Sequence, residues 1–182
     1  MVPTSLRGLL CAGLLATAGA ASALDRVTFE YGNSAGDAEI DRYGANVTFD
    51  WGVQWLKTGD WYLGGYWEGG VNYWDSDPGR TGNDSLVDFH ATPVLRWQRA
   101  PGSGFAPFLE LGLGPHLATE SEIEDKDFDI NFSFGSHVGG GVRFGEKGRF
   151  ELLYRFQHLS NASLGDKNPG VNFHLFNLGY HF

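Results

Sequence analysis

The sequence has very little cysteine. Cys11 is the single cysteine, and it lies inside an N-terminal apolar stretch, "GLLCAGLLATAGA", too early for a lipoprotein signal. Arg7 precedes this stretch and the small residues Ala21, Ser22 and Ala23 follow it, which is typical of a signal peptide. We therefore expect residues 1–23 to be a signal peptide that is cleaved after Ala23. The mature domain, residues 24–182, then has no disulfide and no thiol chemistry.

Positive charge and long apolar runs are also scarce. The formal net charge is −9 at pH 7, so nucleic acid is not expected as a partner. No run of about 18 or more apolar residues follows the leader, which excludes a transmembrane helix. No spacing typical of a zinc, calcium or phosphate-loop site is found, so no metal or cofactor is expected. Two classes remain for one exported domain that is rich in glycine and aromatic residues: a soluble β-domain or an outer-membrane β-barrel.

Alternation of apolar and polar residues is the main pattern after the leader. Eight segments alternate between turn signals, as strands with one apolar face do; they cover residues 25–33, 42–53, 60–74, 85–98, 104–118, 127–144, 148–160 and 171–182. The connections 99–104 and 145–148 are short, whereas 75–84, 119–127 and 161–170 are longer and polar, which is typical of an outer-membrane barrel. The sequence therefore predicts an all-β fold, an eight-stranded antiparallel transmembrane β-barrel whose interior is filled by side chains.

The apolar face of each strand is expected to look toward lipid. This face includes Phe49, Leu111, Phe128, Ile130, Phe134, Tyr154 and Phe176. Tryptophans near strand ends are expected to form the interfacial girdles of such barrels; they are Trp51, Trp55, Trp61, Trp74 and Trp97. The alternative is a soluble sandwich that buries the same face, although a sandwich would carry fewer aromatic residues near its strand ends. The last strand ends in Phe182, which resembles the signal that the bacterial barrel-assembly machinery reads.

Two reactive side chains end the seventh segment. His158 and Ser160 share the face of Phe156 and Tyr154, where unpaired polar groups are costly in hydrocarbon. Their Cα atoms are expected to lie roughly 6–7 Å apart, because a strand rises about 3.3 Å per residue. Asn172 begins the next strand and is expected beside His158. This is the nucleophile, base and orienting group that activate a serine hydroxyl. The alternative is a histidine that faces lipid headgroups.

The stretch "HLSNASLGDKNPGVN" (158–172) resembles the signature of the outer-membrane lipid A 3-O-deacylases, the PagL-type family. "GYWEGGVNYW" (65–74) and "PFLELGLG" (107–114) are similar to further segments of that family. The resemblance implies an eight-stranded barrel in the outer membrane of a Gram-negative bacterium. It also implies a serine esterase without a cofactor that hydrolyses the 3-O ester-linked 3-hydroxyacyl chain of lipid A in lipopolysaccharide. By the same resemblance, Ser160 is the nucleophile, His158 the general base and Asn161 an oxyanion-stabilising residue.

The sequence departs from the family pattern at two positions. Asn172 stands where the pattern has a glutamate; an asparagine can orient a histidine through its side-chain oxygen but cannot stabilise an imidazolium by charge. Asp166 and His174 are therefore alternatives for completing the triad. Ser163 stands where a glycine is expected, which retains a backbone N–H donor but changes the conformational freedom there.

Other interpretations remain open at this stage. A non-enzymatic structural or adhesive outer-membrane barrel is the main alternative, and a phospholipase or an acyltransferase that uses the same serine is another. Arg80, Lys126 and Lys167 in the loops are candidates for approaching the phosphates of lipid A. The expected partners are lipid A or lipopolysaccharide, the outer membrane and the barrel-assembly machinery during biogenesis, and a homodimer is left open.

Overall fold

Strands account for most of the chain. The computed structural model describes residues 24–102 and 104–182, so the signal peptide expected at 1–23 lies outside the described residues. The strands are β1 (Arg26–Ala35), β2 (Ile40–Asp50), β3 (Trp55–Thr58), β4 (Trp61–Ser76), β5 (Ser85–Arg99), β6 (Ala106–Ala118), β7 (Glu122–Ile123), β8 (Lys126–Asp127), β9 (Phe132–Phe144), β10 (Phe150–Ser160) and β11 (Val171–His181). One 3₁₀ turn, Glu146–Gly148, precedes β10. Among the described helices, none has the length and apolarity to cross a membrane.

Eight long strands close into a barrel. They pair antiparallel in the order β1, β2, β4, β5, β6, β9, β10 and β11, and β11 pairs back with β1. The predicted eight-stranded antiparallel barrel is therefore confirmed. The short strand β3 pairs only with β4, and β7 and β8 form a small hairpin within one loop. Closure leaves no long unpaired sheet edge, which satisfies the backbone polar groups of a membrane-spanning sheet.

The two ends of the barrel differ in their connections. One end, called here the long-loop end, carries the connections 36–39, 77–84, 119–131 and 161–170. The other end carries the connections 51–60, 100–105 and 145–149. The long loops 77–84, 119–131 and 161–170 at one end are typical of outer-membrane barrels. The connection 36–39 at that end is short, however, and the connection 51–60 at the other end is long because it contains β3.

Side-chain direction follows the two-residue period of the strands. In β10 the odd-numbered residues are buried inside the barrel and the even-numbered residues look outward. The residues predicted to face lipid at positions 49, 111, 154 and 176 are exposed on the outer wall, and Phe134 is half-exposed there. The outward face is therefore the apolar face, as expected for a barrel in lipid.

The interior is charged and internally paired. Four arginines and four glutamates are buried in it, namely Arg26, Arg42, Arg96, Arg155, Glu30, Glu68, Glu110 and Glu151. Arg155 contacts Glu68 at 2.8 Å and Glu110 at 2.7 Å. Arg96 contacts Glu110 at 2.6 Å and Glu151 at 2.7 Å. We call these eight residues the interior charge network; its equal numbers of each sign give every buried arginine in it a glutamate partner.

An apolar cluster lies above this network at the long-loop end. It contains Ala38, Ile40, Trp74, Leu86, Ile123, Phe128, Leu159, Val171, Phe173 and Leu175. The loop 119–131 contributes Ile123 and Phe128, so this loop folds over the barrel mouth. The cluster fixes the loops that surround the ends of β10 and β11.

Two predictions about the outward face are wrong. Trp74 was expected in an aromatic girdle, but it is buried and packs edge-on against Phe173, with ring centroids 4.7 Å apart. The reason is parity, because odd-numbered residues face outward in this part of β4. Phe128 and Ile130 were expected to face lipid, but β9 begins only at Phe132. Phe128 lies in the apolar cluster, and Ile130 lines a small cavity beneath the loops.

Candidate active site

Strand register brings His158 and Asn172 together. They are opposite each other on β10 and β11, and both side chains look outward. Nδ1 of His158 lies 2.7 Å from Oδ1 of Asn172. Because an amide oxygen only accepts, Nδ1 must carry the proton in this bond, which leaves Nε2 with a free lone pair. That tautomer is the one a general base needs.

Ser160 is the last residue of β10 and lies on the same outward face as His158. It stands opposite Phe134 of β9. Within residues 24–102 and 104–182, neither the Ser160 hydroxyl nor Nε2 of His158 has a hydrogen-bond partner. Catalytic hydrogen bonds often tighten only when substrate binds. The arrangement thus provides a hydroxyl and a basic nitrogen on neighbouring outward positions.

The two alternative orienting residues lie elsewhere. Nδ1 of His174 is 2.7 Å from the Tyr154 hydroxyl, and its ring packs near Phe156. Asp166 is exposed in the loop, where its backbone N–H donates to Asp129 Oδ2 at 2.8 Å. Among the described residues, neither is hydrogen-bonded to His158, whereas Asn172 is.

Asn161 is fully buried and organises the loop after Ser160. Its side-chain nitrogen donates to the backbone oxygens of Phe128 and Lys167, both at 2.7 Å. Its side-chain oxygen accepts the N–H of Ser163 at 2.9 Å, and its own N–H donates to Oδ1 of Asn168 at 2.9 Å. Every N–H of Asn161 is therefore engaged within the protein in this conformation. Sequence reasoning did not single out Asn168, although the Asn-Pro pair that it begins is a turn signal.

The loop 161–170 contains residues in the left-handed conformation. Ala162 and Ser163 have φ angles of 54° and 61°, and Gly170 has 62°. Ser163 thus adopts the conformation for which the family pattern has glycine, at a cost of roughly 1–2 kcal/mol for a residue with a Cβ. At Gly170 a Cβ would lie 3.1 Å from Cε1 of His158. Glycine at this position leaves room for the imidazole ring.

Contacts with the neighbouring loop hold this segment in place. Lys167 forms an ion pair with Asp127, and Asp166 is held by Asp129. The hydrogen bond from Lys167 lowers the pKa of Asp127, and the same contact raises the pKa of Lys167. Arg80 is similarly engaged by Asp125, at 3.3 Å. Two of the three loop cations considered for phosphate binding therefore have acidic partners within the protein.

A second group of polar residues lies inside the barrel. Ligand atoms of Asp88, His90 and His116 lie within 4.8 Å of one another. His116 Nδ1 is 2.9 Å from Asp88, and the Asn72 side-chain nitrogen lies 2.9 Å from Asp88 and 3.2 Å from His90. Hydrogen bonds among these residues account for their proximity. The group is on the inner face of β4, β5 and β6 and therefore cannot act together with Ser160.

Comparison with known proteins adds independent information. The family model for lipid A 3-O-deacylase (PagL) matches residues 41–181. This chain belongs to that family. Lipid A deacylase PagL of Pseudomonas aeruginosa is 29% identical over 129 residues, which cover 71% of each chain. Lipid A deacylase PagL of Bordetella bronchiseptica is 30% identical over 117 residues, 60% of this chain and 62% of the relative.

Solved structures agree on the fold. The crystal structure of the outer membrane enzyme PagL superposes with a TM-score of 0.74 at 23% identity, covering 85% of this chain and 98% of that one. Neisserial surface protein A superposes with a TM-score of 0.50 at 12% identity. Family membership together with this fold makes the chain an outer-membrane β-barrel, and its apolar outward face carries His158 and Ser160.

Proposed function

We propose that this barrel is a serine esterase that removes the 3-O ester-linked 3-hydroxyacyl chain of lipid A. In this proposal Ser160 is the nucleophile, His158 the general base and Asn172 the residue that orients His158. The contact of 2.7 Å between His158 and Asn172 on the lipid-facing surface carries the proposal. A structural barrel has no need of a histidine held in one tautomer beside a free serine hydroxyl on its apolar outer face.

The acylation step uses the free Nε2 of His158 as the base. Ser160 Oγ attacks the ester carbonyl carbon while its proton passes to Nε2 of His158, and a tetrahedral oxyanion forms. As the intermediate collapses, the bond from the acyl carbon to the sugar oxygen breaks. His158 returns the proton to that oxygen, which leaves as the sugar hydroxyl. The acyl chain remains esterified to Ser160.

Water completes the cycle. His158 takes a proton from a water molecule whose oxygen attacks the acyl carbon. As the second intermediate collapses, the bond from the acyl carbon to Ser160 Oγ breaks and His158 returns the proton to Oγ, which releases the free fatty acid. The site lies on the last residue of β10, at the long-loop end of the barrel. This position places the acyl-enzyme near the aqueous boundary, where water is available.

The oxyanion donor is assigned from the loop contacts. Asn161 was expected to contribute here, but its N–H groups bond to Phe128, Lys167 and Asn168. We assign Asn161 to holding the loop, and the donor to the backbone N–H of Ala162. That N–H has no partner within the described ranges and follows Ser160 by two residues. Backbone donors fixed in this way stabilise an oxyanion without reorganising during reaction.

Export and assembly complete the proposal. Residues 1–23 direct export and are removed, and the C-terminal segment formed by β11 and Phe182 is read by the barrel-assembly machinery. Replacing Phe182 with serine should lower the amount of folded barrel in the outer membrane. The amount of folded barrel is measured by its heat-modifiable migration on gels of membrane fractions. Tyr62→Phe is the control, because it changes a barrel residue and leaves the C-terminus intact.

Mass spectrometry of lipid A tests the activity. Purified protein reconstituted with lipid A should release one 3-hydroxy fatty acid, and lipid A should lose the corresponding mass. Ser160→Ala should abolish this release while remaining folded. Ser85→Ala is a matched control, since Ser85 begins β5 at the same end of the barrel, three strands from β10. Equal release by Ser160→Ala and wild type would refute the serine mechanism, and no release by wild type would favour a structural barrel.

A further inference from the structure

Ser136 is a polar residue on the lipid-facing surface that the proposed mechanism does not use. It lies on β9, opposite His158 on one side and Leu113 on the other. Its side chain is half-exposed and shares its face with Phe134 and Val138. Within the described parts of the chain, its hydroxyl has no hydrogen-bond partner. A polar group in this position is unfavourable in lipid unless something pairs with it.

The position of Ser136 relative to Ser160 is set by strand register. Ser160 stands opposite Phe134, so Ser136 is its diagonal neighbour on the adjacent strand. Diagonal neighbours of this kind have Cα atoms roughly 7–8 Å apart. Ser136 is also one row of side chains farther from the long-loop end than Ser160. An acyl chain that runs from Ser160 toward the middle of the membrane passes over it.

The substrate carries one polar group along this path. In a 3-hydroxyacyl ester, the hydroxyl is on the second carbon beyond the carbonyl carbon that Ser160 attacks. A hydroxyl–hydroxyl hydrogen bond spans about 2.7–2.8 Å. With the carbonyl carbon at Ser160, the short stretch of acyl chain up to the 3-hydroxyl and one hydrogen bond together span the distance from Ser160 to the Ser136 hydroxyl. A hydroxyl at this point of the chain would otherwise be unpaired in hydrocarbon.

We propose that Ser136 binds the 3-hydroxyl of the acyl chain and makes the enzyme selective for 3-hydroxyacyl esters. The inference rests on the proposed function, because it requires an acyl carbonyl at Ser160. The bond satisfies two polar groups that both lack partners at the lipid-facing surface. Loss of such a bond at a half-exposed site should change the relative rates by about tenfold.

The test compares two esters of the same chain length. Glucosamine lipids carrying either a 3-hydroxyacyl or an unsubstituted acyl chain at the 3-O position are presented in identical mixed micelles. Wild type should hydrolyse the hydroxylated ester with a kcat/KM about tenfold higher. Ser136→Ala should lose that preference by slowing only the hydroxylated ester. Ser136→Thr should retain it, because threonine keeps the hydroxyl and is favourable in a strand.

Ser133→Ala is the matched control. Ser133 is on the same strand but faces a small cavity inside the barrel beside Trp74 and Leu86, so this variant should keep the preference. If Ser136→Ala slows both esters equally, or if wild type does not distinguish them, the inference is wrong while the proposed function stands. If wild type hydrolyses neither ester, the proposed function fails and the inference fails with it.

Discussion

Polar side chains occur on both faces of the barrel wall, and the two groups differ in whether their members contact a group of opposite charge. Inside, Arg155 contacts two glutamates, Glu68 and Glu110, at 2.7–2.8 Å. Arg96 in turn contacts both Glu110 and Glu151. Outside, Ser160 and Ser136 have hydroxyls without partners among the described residues. His158 has one ring nitrogen bound by Asn172 and the other free.

A single strand contributes to both groups. In β10, Glu151 and Arg155 face the interior charge network, whereas His158 and Ser160 face lipid. Buried charges must be paired, because an unpaired charge in the interior costs several kcal/mol. The free atoms on the outer face have no such partners among residues 24–102 and 104–182, and the proposed function assigns them to a substrate that resides in the membrane. Under the proposed function, the difference separates residues that stabilise the barrel from residues that react.

Removing the nucleophile should have the largest effect. Ser160→Ala should lower ester release by about 10⁴-fold or more, and His158→Ala should do the same, because triad members act as a unit. The double variant should be no worse than either single one. All three should retain heat-modifiable migration, since neither residue pairs with the interior. A double variant whose loss is the product of the single losses would show that the two residues act independently.

Breaking the interior network should instead affect stability. Glu110→Ala removes a partner from both Arg96 and Arg155 and should lower the free energy of unfolding by about 3–5 kcal/mol. Urea unfolding in lipid vesicles measures this change. Glu146→Ala, at an exposed glutamate in the turn before β10, should leave stability unchanged. The folded fraction of Glu110→Ala should still release fatty acid, and an inactive but fully stable variant would contradict the separation of the two groups.

Altering the orienting residue should have an intermediate effect. Asn172→Ala should lower the rate by about 10²-fold, since positioning the base contributes an effect of that order. Asn172→Glu should restore or raise the rate, because a carboxylate also accepts from Nδ1 and stabilises the imidazolium by charge. Asp166→Ala and His174→Ala are controls at the two alternative positions. If Asp166→Ala is crippling and Asn172→Ala is mild, the orienting role belongs to Asp166.

Breaking the contact between Lys167 and Asp127, which holds the loop 161–170, should have the smallest effect on activity. The pKa of Asp127 is lowered, so its contact with Lys167 is present at neutral pH and is lost as pH falls through that lowered pKa. The pKa of Lys167 is raised, so the contact is also lost as pH rises through it. The protection factors of residues 161–170, which correct hydrogen exchange for its intrinsic pH dependence, should therefore be highest between these limits. Lys167→Ala should exchange faster there, with little loss of activity because exposed ion pairs are weak.

Much of this structure is predictable from the sequence because a strand has a two-residue period. That period gave eight strands and placed His158, Ser160 and Asn172 on one face. It failed at Phe128 and Ile130, which precede β9 and lie in a loop that packs over the barrel mouth. Trp74 follows the period, because its even number places it on the inner face of β4. The roles of Asn161 and Asn168 depend on contacts between loops that are distant in sequence. The sequence around Ser136 does not indicate a functional role. Ser136 becomes a neighbour of His158 and Ser160 only through the register of β9 and β10, which the sequence does not reveal.

Covalent labelling tests the central assignment most directly. An alkyl phosphonate ester that mimics the acyl chain should react once with the detergent-solubilised wild type, and peptide mass spectrometry should place the adduct on Ser160. The adduct should be absent in His158→Ala, because the hydroxyl is no longer activated, and present in Ser136→Ala. Labelling of a different residue in an active enzyme, or equal labelling of Ser160 without His158, would contradict the account.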